Sequence, residues 1–442
     1  MKINTLMKMD KLNKNRTLSE MLKRHGNIDT VQNFQSADHF LSYPLHVKEI
    51  EEFEYEFLKS YLYALYTRIK NDTNIELISF LTIESSLNPL IVAPKISASE
   101  EGGMCSIDNP VVYIHLAYMG KRYFVAVYKR YLESRNSQLY YEKHYISILG
   151  AENQAVIANK LCRYLIAQSV KNSFFTNRII KIKWNDYTDM HERSILNPEE
   201  FKGETLENIF IPSNLKDELI KFKECVKNFG RLNKGMRYLL CGEPGTGKTK
   251  TIRSLIRALE GKATIIVTEG NIKFNYLIDF AKLFSPVIVC FDDLDILIGS
   301  REEHYSRAAL SEFLQELDGF EKNDFFILAT SNDKGLIDKA ASRPGRFDMI
   351  LDFGKLSKEN YWNIVESRCV NPEVLKVLDE GLLRLLAQKR VTGAYVVNLV
   401  KQIEIKYELN PETDLREYSE NLVQLSYKGF YKKLIEKEVG VG

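Results

Sequence analysis

Gly242-Glu243-Pro244-Gly245-Thr246-Gly247-Lys248-Thr249 is the stretch that decides the fold of this chain. It fits the pattern GxxxxGK[ST], follows the apolar run Tyr238 to Cys241 and leads into helix-compatible sequence, Thr251 to Leu259. A strand, a glycine-rich loop and a helix in that order make a phosphate cradle. Backbone N–H groups must come close to phosphate oxygens, which glycines permit, and the helix N-terminus adds a positive dipole. Lys248 then brings a mobile charge to the β- and γ-phosphates of a nucleotide, and the Thr249 hydroxyl offers itself to magnesium.

Outward from the loop, Val287 to Phe291 is a second apolar run, and it ends in Asp292-Asp293. That is the pattern of a buried parallel strand delivering carboxylates to its C-terminal edge. Asp292 is placed to hold magnesium, mostly through water. Asp293 is placed to orient and activate the attacking water. A pair of acids also occurs in surface turns; beside a phosphate loop the catalytic reading prevails.

A third apolar strand ends in Ala329-Thr330-Ser331-Asn332, and Arg343-Pro344-Gly345-Arg346-Phe347-Asp348 follows. With these motifs the chain resembles the AAA ATPases over about residues 203 to 435. The resemblance implies an α/β fold in which a P-loop core with a five-stranded parallel sheet, order 5-1-4-3-2, occupies residues 205–355 and a helical lid occupies 356–442. It implies ATP and Mg2+ as cofactors. It places Asn332 on the γ-phosphate or its water, and sends Arg343 and Arg346 into the neighbouring subunit's nucleotide. A guanidinium supplied in trans can be worth about 10³ to 10⁵ in rate. Subunits that complete one another head to tail close into rings, here a homo-oligomer of six or seven. Thr392-Gly393-Ala394 resembles the lid of the clade that carries Gly-Ala where DNA-initiator relatives carry a sensor arginine, which implies a protein client.

Three departures narrow the resemblance. Glu243 stands where proline is usual, Asp293 where glutamate is usual, and the segment between Thr268 and Val287 is short. Aspartate draws the carboxylate back by one methylene, so its water must sit closer or hydrolysis is slow. Threading AAA unfoldases carry an aromatic-Val-Gly loop after the second strand. Here Asn271 to Tyr276 runs almost straight into the next helix, and Phe274 and Tyr276 read as core or helix-face residues. The short segment, the catalytic aspartate and an upstream hairpin around Gly120-Lys121 resemble the branch of the mitochondrial translocase that delivers the folded Rieske iron–sulfur protein. The N-terminal membrane helix of that branch has no counterpart in this sequence, so neither membrane residence nor that client is carried over.

The remainder divides into an N-terminal helical segment (1–74), a mixed β/α domain (75–185) and a polar linker (186–204), so an α+β region precedes the ATPase core. Thr17 and Glu20 have capping-box spacing for a helix that Gly26 ends. Another helix is expected after Pro44, where Ile50, Phe53, Phe57, Tyr61, Leu65 and Ile69 recur every three or four residues. Val111 to Tyr118 and Tyr123 to Arg130 read as a hairpin joined through Met119-Gly120-Lys121-Arg122.

The 442 residues carry 61 basic and 59 acidic side chains, a net charge of +2 that exerts no long-range pull on nucleic acid or anionic lipid. Lys121, Arg122, Lys129 and Arg130, interleaved with Tyr123, Phe124 and Tyr128, keep a nucleic-acid-stimulated ATPase open as an alternative. Six scattered cysteines without a CxxC pair point to a reducing, cytoplasmic setting. No stretch approaches the roughly twenty apolar residues of a spanning helix. The seven histidines have no ligand spacing, and there is no HExxH, so the sequence itself offers no protease site. The reading is an ATP-hydrolysing oligomeric AAA ATPase that remodels or translocates protein clients. Asp293 keeps a second reading open, a slowly hydrolysing switch or scaffold as in some bacterial defence assemblies.

Overall fold

The computed structural model of the chain describes residues 44–67, 74–83, 91–92, 94–98, 105–133, 140–149, 155–185, 190–201, 205–269, 272–294, 313, 317, 325–332, 346–354 and 356–426. The expected Thr17–Gly26 helix, Arg343 and the end of the lid after residue 426 lie outside these residues. The chain forms two compact units, Met1–Thr176 and Asn177–Gly442.

The described part of the first unit runs β1 (Pro44–Ile50), α1 (Glu52–Thr67), β2 (Ile75–Ile83), β3 (Ile91–Val92), β4 (Ile96–Ala98), β5 (Cys105–Ile107), β6 (Val111–Tyr118), β7 (Lys121–Glu133), β8 (Tyr140–Leu149) and α2 (Ala155–Lys171). Its main sheet is antiparallel, in the order β1-β8-β7-β6-β2-β3. Val112, Ile114 and Leu116, spaced by two along β6, share a core with Leu58, Leu62 and Leu65 of α1 and Leu161 and Leu165 of α2. The turn between β6 and β7 is Met119-Gly120 alone, with both φ positive at 50° and 73°, the conformation whose twist suits a two-residue hairpin. Lys121 and Arg122 belong to the strand. The helix expected after Pro44 starts only at Glu52, because the backbone of Pro44–Ile50 pairs with β8. α1 belongs to the core of this sheet.

The second unit contains β9 (Ile179–Asn185), β10 (Met190–Ile195), α3 (Ser213–Lys227), β11 (Arg237–Cys241), α4 (Lys248–Leu259), β12 (Thr264–Glu269), α5 (Phe274–Ala281), β13 (Val287–Phe291), β14 (Phe325–Ser331) and β15 (Met349–Asp352). A lid of α6 (Lys358–Arg368), α7 (Pro372–Val377), α8 (Glu380–Gln388) and α9 (Gly393–Leu409) follows, and a single helical turn, Phe229–Leu232, lies between α3 and β11. The seven-stranded sheet is ordered β10-β9-β12-β13-β14-β11-β15, and only the β9–β10 pair is antiparallel.

Five of these strands make the parallel core, and two more extend it past β12. The strand Ile179–Asn185 therefore joins the sheet that carries the glycine-rich loop, with Ile179 opposite Ile265 and Ile180 opposite Ile266. The stretch read as a linker contains β10, and Phe201 after it is buried in this unit's core. A polar edge strand such as Met190–Ile195 has no apolar alternation to betray it, and alternation never names a strand's partner.

One face of the sheet, Tyr238, Leu240, Ile288, Cys290, Phe326 and Leu328, packs with Leu219 and Phe222 of α3 and Leu255 and Leu259 of α4. The C-terminal ends of β11, β13 and β14 thereby converge at the N-terminus of α4. Lid residues Tyr361, Val365, Leu383, Leu386, Val396 and Leu399 form a separate core.

The segment entering α5 is tied to the β9–β10 hairpin. Tyr276 stacks on His191 with ring centres 3.8 Å apart and planes 2° apart, and its hydroxyl accepts from Arg193 at 3.0 Å. The Lys273 ammonium stands 3.9 Å above Trp184, and its backbone N–H donates to His191 Nε2. Phe274 is buried against Phe291 and Phe313.

Candidate active site

β11 is buried along its whole length and ends at the loop. The Gly242 N–H bonds to Ser331 O at 3.2 Å, which registers the loop against β14. The Thr246 hydroxyl donates to Glu243 O at 2.8 Å and closes the turn. Gly245 has φ +84°, and a Cβ there would lie 2.9 Å from the Ala394 Cβ, so the position requires glycine twice over. Gly247, φ +99°, caps α4 with open space where a side chain would stand, leaving the helix N-terminus free for an anion. The lid touches the loop directly: the Ala394 N–H donates to Gly245 O at 3.0 Å.

Lys248 is buried, and its ammonium donates to Gly242 O (2.7 Å), Glu243 O (3.0 Å) and Asn332 Oδ1 (2.8 Å). Asn332 in turn donates from Nδ2 to Asp293 Oδ1 at 2.9 Å. The cation for phosphate, the amide expected at the γ-phosphate and the expected catalytic carboxylate thus form one chain of contacts drawn from α4, β14 and β13.

A second chain of contacts lies beside it. The Thr249 hydroxyl donates to Asp292 Oδ1 at 3.0 Å, and the Thr330 hydroxyl donates to the same oxygen at 2.7 Å. Thr330 Oγ1 also accepts the Asp293 N–H at 2.7 Å. Sequence reasoning assigned no task to Thr330. Its signal was a hydroxyl directly after the apolar run Phe325 to Ala329, two residues ahead of Asn332. Asp293 itself is in the left-handed region, φ +51°, which few non-glycine residues adopt and aspartate adopts more readily than most.

These residues fit a magnesium nucleotide. Thr249 Oγ1 and Asp292 Oδ1, 3.0 Å apart, are hard oxygen donors separated by about the distance between neighbouring corners of an octahedron with bonds of roughly 2.0–2.1 Å. Thr249 and Asp292 would hold the ion, which when bound would supply positive charge to the phosphates. Among the described residues no cluster of His, Cys, Asp and Glu suits another metal site. Cys290, just before the acids, is inert: burial, and then the Asp292 charge, push its thiol pKa far up.

Arg343 lies outside the described residues. Arg346 is 6 % exposed within its own chain.

A phosphate loop at the head of a buried strand, two oxygens spaced for magnesium and a carboxylate held for water define the class: a P-loop nucleoside-triphosphatase site. Residues 238–355 match the family model described as "ATPase family associated with various cellular activities (AAA)", so the chain carries an AAA ATPase domain, whose family works on ATP with Mg2+. The ATP-dependent zinc metalloprotease YME1L1 of Mus musculus is 28% identical over 263 residues, covering 52% of this chain and 34% of that protein. The YME1 homologue of Caenorhabditis elegans is 32% identical over 203 residues, 40% of this chain and 26% of its own. FtsH 2 of Salinibacter ruber, also named an ATP-dependent zinc metalloprotease, is 33% identical over 175 residues, 34% and 24%. The chain thus spans about a third or less of these relatives' length. Among the described residues no helix is long and apolar enough to cross a membrane.

Proposed function

We propose that the chain hydrolyses ATP as a ring of identical subunits and couples that turnover to remodelling or moving protein clients in a reducing, cytoplasmic setting. The observation that carries hydrolysis is the convergence of Lys248, Asn332 and Asp293 with the Thr249–Asp292 pair at the end of the central strands. Protein as the client is supported by relatives whose names are those of proteases, and a reducing setting by six free cysteines. Arg343 is the arginine we assign to the neighbouring subunit's nucleotide. The clamp on Lys273 and Tyr276 argues against an aromatic paddle that grips extended chain, and so favours clients that are not threaded. The test is phosphate release by the purified chain with ATP and magnesium. Turnover should rise with protein concentration, and K248A should lower it by at least about a hundredfold, the scale of losing preorganised charge stabilisation. No turnover at any concentration would end this reading.

One observation favours a second reading. Asp293 is short and already engaged by Asn332, which suits a switch that binds ATP and releases it slowly unless a partner frees the carboxylate. Stoichiometric ATP binding with turnover slower than nucleotide exchange would select it.

A further inference from the structure

The Thr330 side chain is fully buried in β14, yet it is not a passive packing residue. Its hydroxyl spends its one proton on Asp292 Oδ1 (2.7 Å) and uses its lone pair to accept the Asp293 N–H (2.7 Å). Asp292 Oδ1 is the same oxygen that meets Thr249. Asp293 is the residue whose backbone is left-handed. That region is less favourable for an L-residue than the right-handed one, and a hydrogen bond to the amide helps to keep the turn there. Among the described contacts Thr330 Oγ1 is what holds the Asp293 amide, and the turn it fixes aims the carboxylate at Asn332, 2.9 Å away.

We propose that Thr330 is a positioning residue for hydrolysis: one hydroxyl sets the orientation of the magnesium carboxylate of Asp292 and, through the left-handed turn, the aim of the water-activating carboxylate of Asp293. The inference rests on the ATPase reading and deepens it. It gives a physical account of how aspartate serves where its side chain is one methylene short. The backbone, pinned from the neighbouring strand, redirects what the shorter side chain cannot reach. The hydroxyl forms and breaks no covalent bond; it acts through Asp292 and Asp293 only.

The test compares T330S with T330A, which lose the same methyl group and differ only in the hydroxyl, alongside the near-isosteric T330V. The readouts are kcat, the magnesium concentration at half-maximal turnover, and nucleotide affinity from fluorescent ATP titration. T330S should stay within about threefold of the parent. T330A and T330V should lose roughly tenfold to a hundredfold in kcat, the scale of a misaimed catalytic group, and need more magnesium, while nucleotide affinity without magnesium stays within about threefold. If T330V does not fold, the serine–alanine pair still decides. Equal kcat for T330S and T330A overturns the proposal, as does a loss shared by both that tracks melting temperature. An inactive parent chain overturns the ATPase reading, and the proposal falls with it.

Discussion

Asp293 answers to two constraints at once, a left-handed backbone and a hydrogen bond to Asn332. Aspartate tolerates that backbone better than glutamate, whose longer side chain gains nothing from it. Restoring the family's usual glutamate is therefore expected to slow the enzyme. D293E should turn over ATP severalfold more slowly than the parent. D293N, which cannot accept a proton, should fall by about 10² or more, the ordinary worth of a general base. Phosphate release at saturating ATP measures both, and a faster D293E would show that side-chain length alone governs the site. Lys248 sits within the same economy of contacts. Its ammonium is held by two loop carbonyls and Asn332, so a triphosphate must draw it away from partners the loop itself supplies.

The β9–β10 hairpin decides what the segment after β12 is able to do. His191 is stacked on Tyr276 and accepts the Lys273 N–H, and burial, then the charges of Lys273 and Arg193, lower its pKa to about 4. The ordinary value is about 6.5, so the unfolded chain binds the proton first as pH falls. The stabilisation from a neutral His191 is complete above about pH 6.5 and is lost on descent towards about 4. H191F keeps the stack without the proton. Its melting temperature should therefore change less than the parent's between pH 6.5 and about 4.5, as followed by circular dichroism. Identical slopes would mean that the hairpin does not sense the proton. His115 in the first unit, also lowered to about 4 by burial and then Arg122, contributes its own share of acid sensitivity in both proteins.

At the scale of the whole molecule, two arginines are expected to act across a subunit boundary, and of the two only Arg346 lies among the described residues. Arg346 is inward and buried in its own chain, and removing it leaves a hole in the turn before β15. R346A is expected to lower melting temperature together with turnover. R343A should lower turnover by about 10³ or more, the scale of a lost trans guanidinium. Mixing R343A with K248A chains should then restore activity at shared interfaces, because each chain supplies what the other lacks. Turnover of R343A equal to that of the parent would remove the trans arginine from the mechanism.

The glycine loop, Asp292-Asp293 and Asn332 were legible in the sequence because short motifs with fixed local geometry need no knowledge of partners. The apolar runs Tyr238 to Cys241 and Val287 to Phe291 likewise declared themselves as buried strands, because water excludes such runs wherever they lie. The placement of β9 and β10 was decided by tertiary structure. Both strands pair through backbone groups that every residue carries, so Ile179–Asn185 was read into the upstream domain and Met190–Ile195 as linker. The same reason kept Pro44–Ile50 hidden as a strand. Thr330 shows the limit most sharply. Its residue type is visible in one dimension, but a hydroxyl has a task only once the fold sets it within 2.7 Å of a carboxylate from another strand.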